Sequence, residues 1–220
     1  MNGVFKKREH MIRILLADDH NIFRQGLKEV IENTSDIKVT AEAATGRETI
    51  REALSDDCDV VLLDLTLPDI HGIDVLKQIR QACPDKAVLV LTMHPEEQYG
   101  LRALRAGAAG YLTKDCEAEE LLAAIRKAFT GGMYITACFA ELIAGNSSSS
   151  KKLAPHEILS DREFQILCMI AAGKRIKDIA DHLSLSPKTV STYRNRLLQK
   201  LNMETNEQLT TYAMNHKLLD

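Results

Sequence analysis

Val60-Val61-Leu62-Leu63-Asp64 decides how the first half of this chain folds: four consecutive aliphatic residues end on a carboxylate. A strand with one wet face alternates apolar and polar residues. This run is continuous, which marks a strand buried on both faces of a parallel sheet. Ala87-Val88-Leu89-Val90-Leu91 has the same character, and three further runs complete the series. The expected strands are 12–17, 37–41, 60–63, 87–91 and 110–112. Between them apolar residues fall at helical spacing: Phe23, Leu27, Val30 and Ile31; Ile50, Ala53 and Leu54; Leu76 and Ile79; Leu101 and Leu104; Leu121, Leu122, Ile125 and Phe129. Gly or Pro punctuates several joints. Strands alternating with helices predict an α/β fold, a doubly wound five-stranded parallel sheet with right-handed crossovers.

The residues that follow the strands carry the chemistry. Asp18 and Asp19 close the first strand, Asp64 the third and Thr92 the fourth, and Lys114 stands just past the fifth. In open α/β sheets the ligand crevice lies beyond the carboxyl ends of the strands, where the strand order reverses. With the flavodoxin-like order 2-1-3-4-5, strands one and three are neighbours. Asp18, Asp19 and Asp64 then converge, flanked by Thr92 and Lys114. Taken singly these residues say little: an Asp pair after a strand often caps a turn, and a lysine there is usually solvated. Their specificity lies in four strand ends carrying matching chemistry in order. Carboxylates crowded within a few ångströms repel one another. A hard cation with oxygen ligands relieves this, and Mg²⁺ suits one or two carboxylates plus phosphate and water. Phosphoryl transfer needs mainly positioning and charge stabilisation. The set therefore predicts a carboxylate nucleophile that forms an acyl phosphate, with Lys114 and the Thr92 hydroxyl meeting phosphoryl oxygens.

The whole chain has 220 residues, 45% hydrophobic and 27% charged, which excludes collagen, coiled coil and wholesale disorder. Its longest apolar run, Ile166 to Ala172, is far short of the ~20 residues needed to span a bilayer. Lys6-Lys7-Arg8 precedes only a short apolar stretch broken by Arg13, so no secretory signal is expected. Five cysteines, an odd count without a C-x-x-C pair, argue against a disulfide framework or a zinc site. A cytoplasmic protein without membrane attachment is the expectation. Net charge is −3, but it is unevenly spread. Residues 1–150 hold 17 basic against 23 acidic residues, a net of −6, and residues 151–220 hold 11 against 8, a net of +3. Segment 174–200 carries seven basic residues and two acidic ones, which suggests a polyanionic partner. Gly145-Asn146-Ser147-Ser148-Ser149-Ser150-Lys151-Lys152 reads as flexible linker. The expected organisation is a tail at 1–10 (with Met11 as an alternative start), a first module at 11–133, a linker at 134–156 and a second module at 157–220.

In the second module Ser160 with Glu163 forms a capping box, and Phe164, Leu167, Cys168, Ile170 and Ala171 give the helix a buried side that ends at Gly173. A short helix follows with Ile176, Ile179, Ala180 and Leu183 apolar. Ser186-Pro187 then opens another, Ser as cap and Pro at the first helical position. At 100° per residue, Val190, Tyr193, Leu197 and Leu201 fall within about 60° of one another's mean direction. Lys188, Ser191, Thr192, Asn195 and Gln199 lie on the opposite arc. A helix, a short turn and a second helix with a basic, hydrogen-bonding face make a helix-turn-helix, whose second helix can enter the major groove. A small protein-docking domain has the same periodicity. Arg194 lies near the apolar arc and is expected to snorkel outward.

The wording of both halves resembles one family. Ile14-Leu15-Leu16-Ala17-Asp18-Asp19-His20, the segment from Val60 to Gly72, and Ala106-Gly107-Ala108-Ala109-Gly110-Tyr111-Leu112-Thr113-Lys114 look like the receiver domain of two-component response regulators. Leu185-Ser186-Pro187-Lys188-Thr189-Val190-Ser191-Thr192-Tyr193 looks like a LuxR-type helix-turn-helix, and together the halves resemble the NarL/FixJ class. The resemblance implies Asp64 as phosphoacceptor, and Asp18, Asp19, Asp64 and the main-chain carbonyl of Thr66 as Mg²⁺ ligands. Thr92 and Tyr111 become the switch pair and Lys114 the phosphate contact. It implies that Thr66 tunes phosphoryl lifetime and that Met93 slows access to Asp64. Lys188, Ser191, Thr192 and Asn195 would approach bases, and Thr189, Arg196 and Lys200 phosphates. The implied partners are a sensor histidine kinase, double-stranded DNA with two-fold related half-sites, RNA polymerase and, on activation, a second copy through segment 206–217. The chain would be no enzyme beyond its own aspartyl phosphorylation and dephosphorylation. An aspartyl phosphatase wants a second Asp two residues after the nucleophile, where Thr66 stands. A DNA binder with an unphosphorylated first module is the other alternative.

Overall fold

Five strands, β1 (Ile12–Ala17), β2 (Ile37–Ala43), β3 (Val60–Leu63), β4 (Ala87–Thr92) and β5 (Gly110–Thr113), pair in parallel in the order β2-β1-β3-β4-β5. The structure, a computed structural model, describes residues 11–55, 57–136, 140, 154–216 and 218. Alternate residues of each strand feed two cores, as the two-residue period of a strand requires. Ile12, Ile14, Leu16, Val60, Leu62, Leu89 and Leu91 face one side, under α1 (Asn21–Glu32) and α5 (Ala118–Phe129). Leu15, Ala17, Val61, Leu63, Val88 and Val90 face the other, under α2 (Gly46–Ala53), α3 (Gly72–Ala82) and α4 (Glu96–Arg105). Both faces are covered, which is why β3 and β4 read as unbroken apolar runs.

Three strands run further than the apolar pattern predicts. β2 continues through Glu42, pairing Leu16 with Glu42 and Ala17 with Ala43, and β4 and β5 add the pair Thr92–Thr113. Backbone pairing, indifferent to side-chain polarity, carries these strands past their last apolar residue. Asp18 is placed by the same continuation, its N–H donating to Ala43 O at 3.0 Å.

The second module begins with a 3₁₀ turn (Pro155–Ile158), followed by α6 (Asp161–Ala171), α7 (Ile176–His182), α8 (Pro187–Leu201) and α9 (Asn206–Asn215). The expected capping box forms, with the Ser160 side chain accepting from Glu163 N–H and Glu163 from Ser160 N–H. Ser186 caps α8 with Pro187 behind it, and Asn202, at φ 55°, ends the helix in the left-handed region that asparagine tolerates. The tail at 1–10 and most of the expected linker lie outside the described residues. At the edges of that linker, Tyr134 N–H donates to Ala109 O at 2.7 Å beside β5, the Thr136 hydroxyl donates to Glu96, and His156 belongs to the 3₁₀ turn. The Leu15-side core continues from Tyr99 of α4 into Phe164, Leu167, Leu197 and Leu209 of the second module.

Candidate functional site

The carboxyl ends of β1 and β3 deliver Asp18 and Asp64 side by side because β1 and β3 are neighbours in the sheet. Both are nearly fully buried, as is Thr92 at the end of β4. Lys114 comes in from β5: its N–H donates to Thr92 O at 2.8 Å, and its Nζ lies 2.5 Å from Asp18 Oδ2 and 2.8 Å from Asp64 Oδ2. Burial pushes the Lys114 ammonium down, but the hydrogen bonds and charges of Asp18 and Asp64 outweigh it and hold the pKa above the ordinary lysine value. The lysine is therefore a fixed cation, shared by two carboxylates.

Ligand atoms of Asp18, Asp19, His20 and Asp64 lie within 4.8 Å of one another. Carboxylate oxygens crowded together are the donor set that hard divalent cations take, so these residues fit Mg²⁺. His20 was not assigned a role by sequence. Its N–H donates to Asp18 Oδ1 at 2.8 Å and its Nδ1 lies 2.8 Å from Asp19 Oδ1, so it orients both acids. Adjacency to the Asp pair was the only signal for it. Phe23 was read as a core residue. Its ring centroid stands 4.6 Å from Lys114 Nζ, and the next residue, Arg24, donates to Asp18 O at 2.5 Å. The Thr92 hydroxyl is buried without a hydrogen-bond partner among the described residues, a state that costs about 1–3 kcal/mol until an acceptor arrives. Thr66 donates its N–H to Asp64 Oδ1 at 3.2 Å and pairs its hydroxyl with His94 Nε2 at 3.3 Å. Tyr111 is buried and donates its hydroxyl to His94 O at 2.8 Å, and Met93 is exposed.

The loop after β3 is held by two devices. Asp69 accepts from Gly46 and Arg47 N–H at the start of α2, and from its neighbour Ile70. Burial pushes this acid up, but the backbone N–H groups outweigh that and keep it below the usual carboxylate range. Gly72 lets the turn close: a Cβ there would stand 2.5 Å from Leu65 Cα and 2.6 Å from Asp64 O. Gly72→Ala is therefore expected to cost about 1–3 kcal/mol, since backbone is what must yield. Chemical denaturation measures this; a loss under about 0.5 kcal/mol, the range of neutral surface changes, is the contrary outcome.

On α8, Lys188, Thr192, Asn195, Arg196 and Lys200 are exposed, and Thr189 and Ser191 half-buried, so one solvent-facing side carries all seven. The short side chains are locally tied: Thr189 to Ser186 (2.7 Å), Ser191 to Pro187 O (2.9 Å), Thr192 to Lys188 O (3.0 Å). Lys200 is paired with the buried Glu163 at 2.7 Å, which fixes its stem beside α6. Arg194 donates to Asn206 Oδ1 at 2.6 Å and so fastens α8 to α9.

Two family models match this chain. Residues 14–126 match the family model of the response regulator receiver domain, and residues 157–213 that of the bacterial regulatory proteins of the luxR family. The response regulator UvrY of Escherichia coli strain K12 is 37% identical over 209 residues, covering 94% of this chain and 96% of UvrY. The response regulator GacA of Pseudomonas viridiflava is 36% identical over 211 residues, covering 96% and 99%. Among solved structures, RcsB from Salmonella enterica serovar Typhimurium, bound to promoter P1flhDC with the phosphomimetic BeF3−, superposes with a TM-score of 0.58 at 25% identity, covering 91% of this chain and 97% of that one.

Proposed function

Because this chain belongs to the two-component response regulators with a LuxR-type DNA-binding domain, the NarL/FixJ class, we propose that its DNA binding is controlled by phosphoryl occupancy of Asp64. The observation that carries this reading is the ammonium of Lys114 shared between Asp18 and Asp64 at the strand ends. A carboxylate oxygen of Asp64 attacks the phosphorus of a phosphohistidine on the partner kinase; the P–N bond breaks, and the histidine leaves with the electron pair and takes up a proton. Asp18, Asp19, Asp64 and the Thr66 carbonyl would hold Mg²⁺, which would supply positive charge to offset the crowded anions. Lys114 exchanges its contact with Asp64 for a phosphoryl oxygen. The Thr92 hydroxyl gains the acceptor it lacks, and Tyr111, which holds the His94 carbonyl, follows the loop after β4. The phosphoryl group need favour one arrangement by only a few kcal/mol to shift the population.

On this reading the functional modules are 11–133 and 157–220, and the chain works in the cytoplasm with a sensor histidine kinase upstream and RNA polymerase downstream. Two copies, paired through α9 on activation, read a two-fold related site. Lys188, Ser191, Thr192 and Asn195 approach bases, and Thr189, Arg196 and Lys200 approach phosphates. The RcsB structure on promoter DNA with a phosphomimetic supports the pairing of the two events. The only catalysis is the receiver's own phosphorylation and dephosphorylation, with Thr66 setting phosphoryl lifetime and Met93 slowing access.

Genome-wide footprinting of the bound chain, with and without phosphodonor, tests the reading and yields the operator. On that operator Lys188→Ala and Asn195→Ala are each expected to cost about 1–3 kcal/mol of specific binding and much less on unrelated DNA. Equal losses on all sequences would make them backbone contacts instead.

A further inference from the structure

A lysine ammonium has three N–H donors, and the oxygens around Lys114 take only two. Asp18 Oδ2 stands 2.5 Å from Nζ and Asp64 Oδ2 2.8 Å. Among the described residues no third acceptor meets it. The side chain is 5% exposed, so water has little access to the remaining side. The other neighbour is the ring of Phe23, whose centroid lies 4.6 Å from Nζ with the cation over the ring. A cation within about 6 Å of a ring centroid is drawn to the negative π face, most strongly where water is kept away.

The ring stands there because of how α1 begins. Phe23, Leu27 and Ile31 form the stripe that packs α1 onto its side of the sheet, and Phe23 opens that stripe in the first turn. Helical side chains lean toward the helix N-terminus, which here faces the carboxyl ends of the strands. The first turn is tied down independently of the lysine. Arg24 donates to Asp18 O at 2.5 Å and to Asn21 Oδ1 at 3.2 Å, and its Nε reaches Glu42 of β2 at 3.5 Å. Lys28, one turn on, pairs with the same Glu42 at 2.9 Å. The main chain of the site therefore sets where the ring lies, and the cation meets a surface already in place.

We propose that Phe23 is a positioning residue for phosphoryl transfer: its π face holds the Lys114 ammonium in place while the ammonium passes from Asp64 to the incoming phosphoryl group. This rests on the reading of Asp64 as phosphoacceptor. Before transfer two carboxylates hold the cation, and the ring adds little. As an Asp64 oxygen bonds to phosphorus, the negative charge moves to the phosphoryl oxygens and the contact between Lys114 and Asp64 is given up. Asp18 and the ring are then the groups that still locate the ammonium. An interaction that counts more in the transition state than before it raises the rate at saturation and leaves donor binding nearly unchanged. The ring also stands in for a water shell that would weaken the field of the cation at the phosphoryl oxygens. Plain core packing of Phe23 would act on stability and leave this rate alone.

The test keeps the shape of the ring and drains its face. Di- and trifluorinated phenylalanine are incorporated at position 23 of the full chain. Radiolabelled acetyl phosphate in saturating Mg²⁺ is the donor: an Asp64 oxygen attacks phosphorus, the P–O bond to the acyl group breaks, and acetate leaves with the electron pair. The saturating rate is expected to fall about threefold and then about tenfold along the series, with the half-saturating donor concentration within about twofold. Phe23→Leu, which keeps apolar bulk without a π face, should be about tenfold slower, and Phe23→Tyr should restore the rate. Without any phosphodonor, the Lys114 Hε resonances are expected upfield through the ring current and should return toward ordinary positions in Phe23→Leu. Thermal melts confirm that each variant is folded, and the Leu and Tyr pair decides the matter if a fluorinated chain is not. A labelled parent whose rate the trifluorinated chain matches, or a Lys114 signal that Phe23→Leu does not move, overturns the role of the ring. A parent that takes no Asp64-dependent label overturns the reading of Asp64, and the ring's part in transfer falls with it, whatever the Lys114 signal shows of the contact itself.

Discussion

Asp64→Asn is expected to reduce phosphoryl incorporation from a phosphorylated kinase or an acyl phosphate to background while leaving the fold intact. The amide lacks the anionic oxygen that attacks phosphorus, and no other described carboxylate combines a strand-end position, burial and a bond to Lys114 except Asp18. Stability should not suffer, since removing one anion from a group of four ligand residues within 4.8 Å relieves repulsion. Lys114 keeps Asp18 as its partner. Labelling in Mg²⁺ together with a thermal melt checks both halves of the expectation. Label that persists in the variant would move the acceptor to Asp18 or Asp19.

Phe164→Ala should carry a large stability cost, about 3–5 kcal/mol. The ring is fully buried, meets Tyr99 edge-on and lies under Arg102. Its removal leaves a cavity that backbone on both sides of the contact between the modules cannot readily fill, and it deprives a guanidinium of its stacking surface. Because one core spans both modules, the loss is expected in the unfolding of the second module and also in its grip on the first. Urea denaturation followed separately by α6–α9 helicity and by fluorescence sensitive to that contact measures the two. A cost below about 1 kcal/mol would mean that Phe164 is not the keystone of the shared core.

The sheet was legible because a parallel strand buried on both faces leaves an unbroken aliphatic run, and β1 and β3 match their expected ends. Where a strand continues through polar residues, as β2 does through Glu42, the apolar pattern stops before the backbone pairing does. The acidic pocket was legible for the same topological reason: strand order places Asp18 beside Asp64, and sequence supplies the residues at both ends. Its supports were not. His20, Phe23, Arg24 and Asp69 act through contacts across the fold, and nothing in their spacing distinguishes an orienting histidine from a solvated one. The contact between the modules was hidden, since Arg102 lies on a helix that reads as ordinary and His156, whose carbonyl it meets, falls in the expected linker. Arg194, assigned no role from periodicity, proves to be a tie between α8 and α9.

The proposed control is a single coupling, in which phosphoryl occupancy of Asp64 sets the affinity of α8 for DNA. The direct measurement is the dissociation constant for an operator fragment, with and without phosphodonor, for the parent chain and Asp64→Asn at one salt concentration. The parent is expected to tighten by about 5–150-fold, the usual range for coupled sites, and the variant not to change. Equal tightening of both proteins, or none in a parent that carries the label, would contradict it.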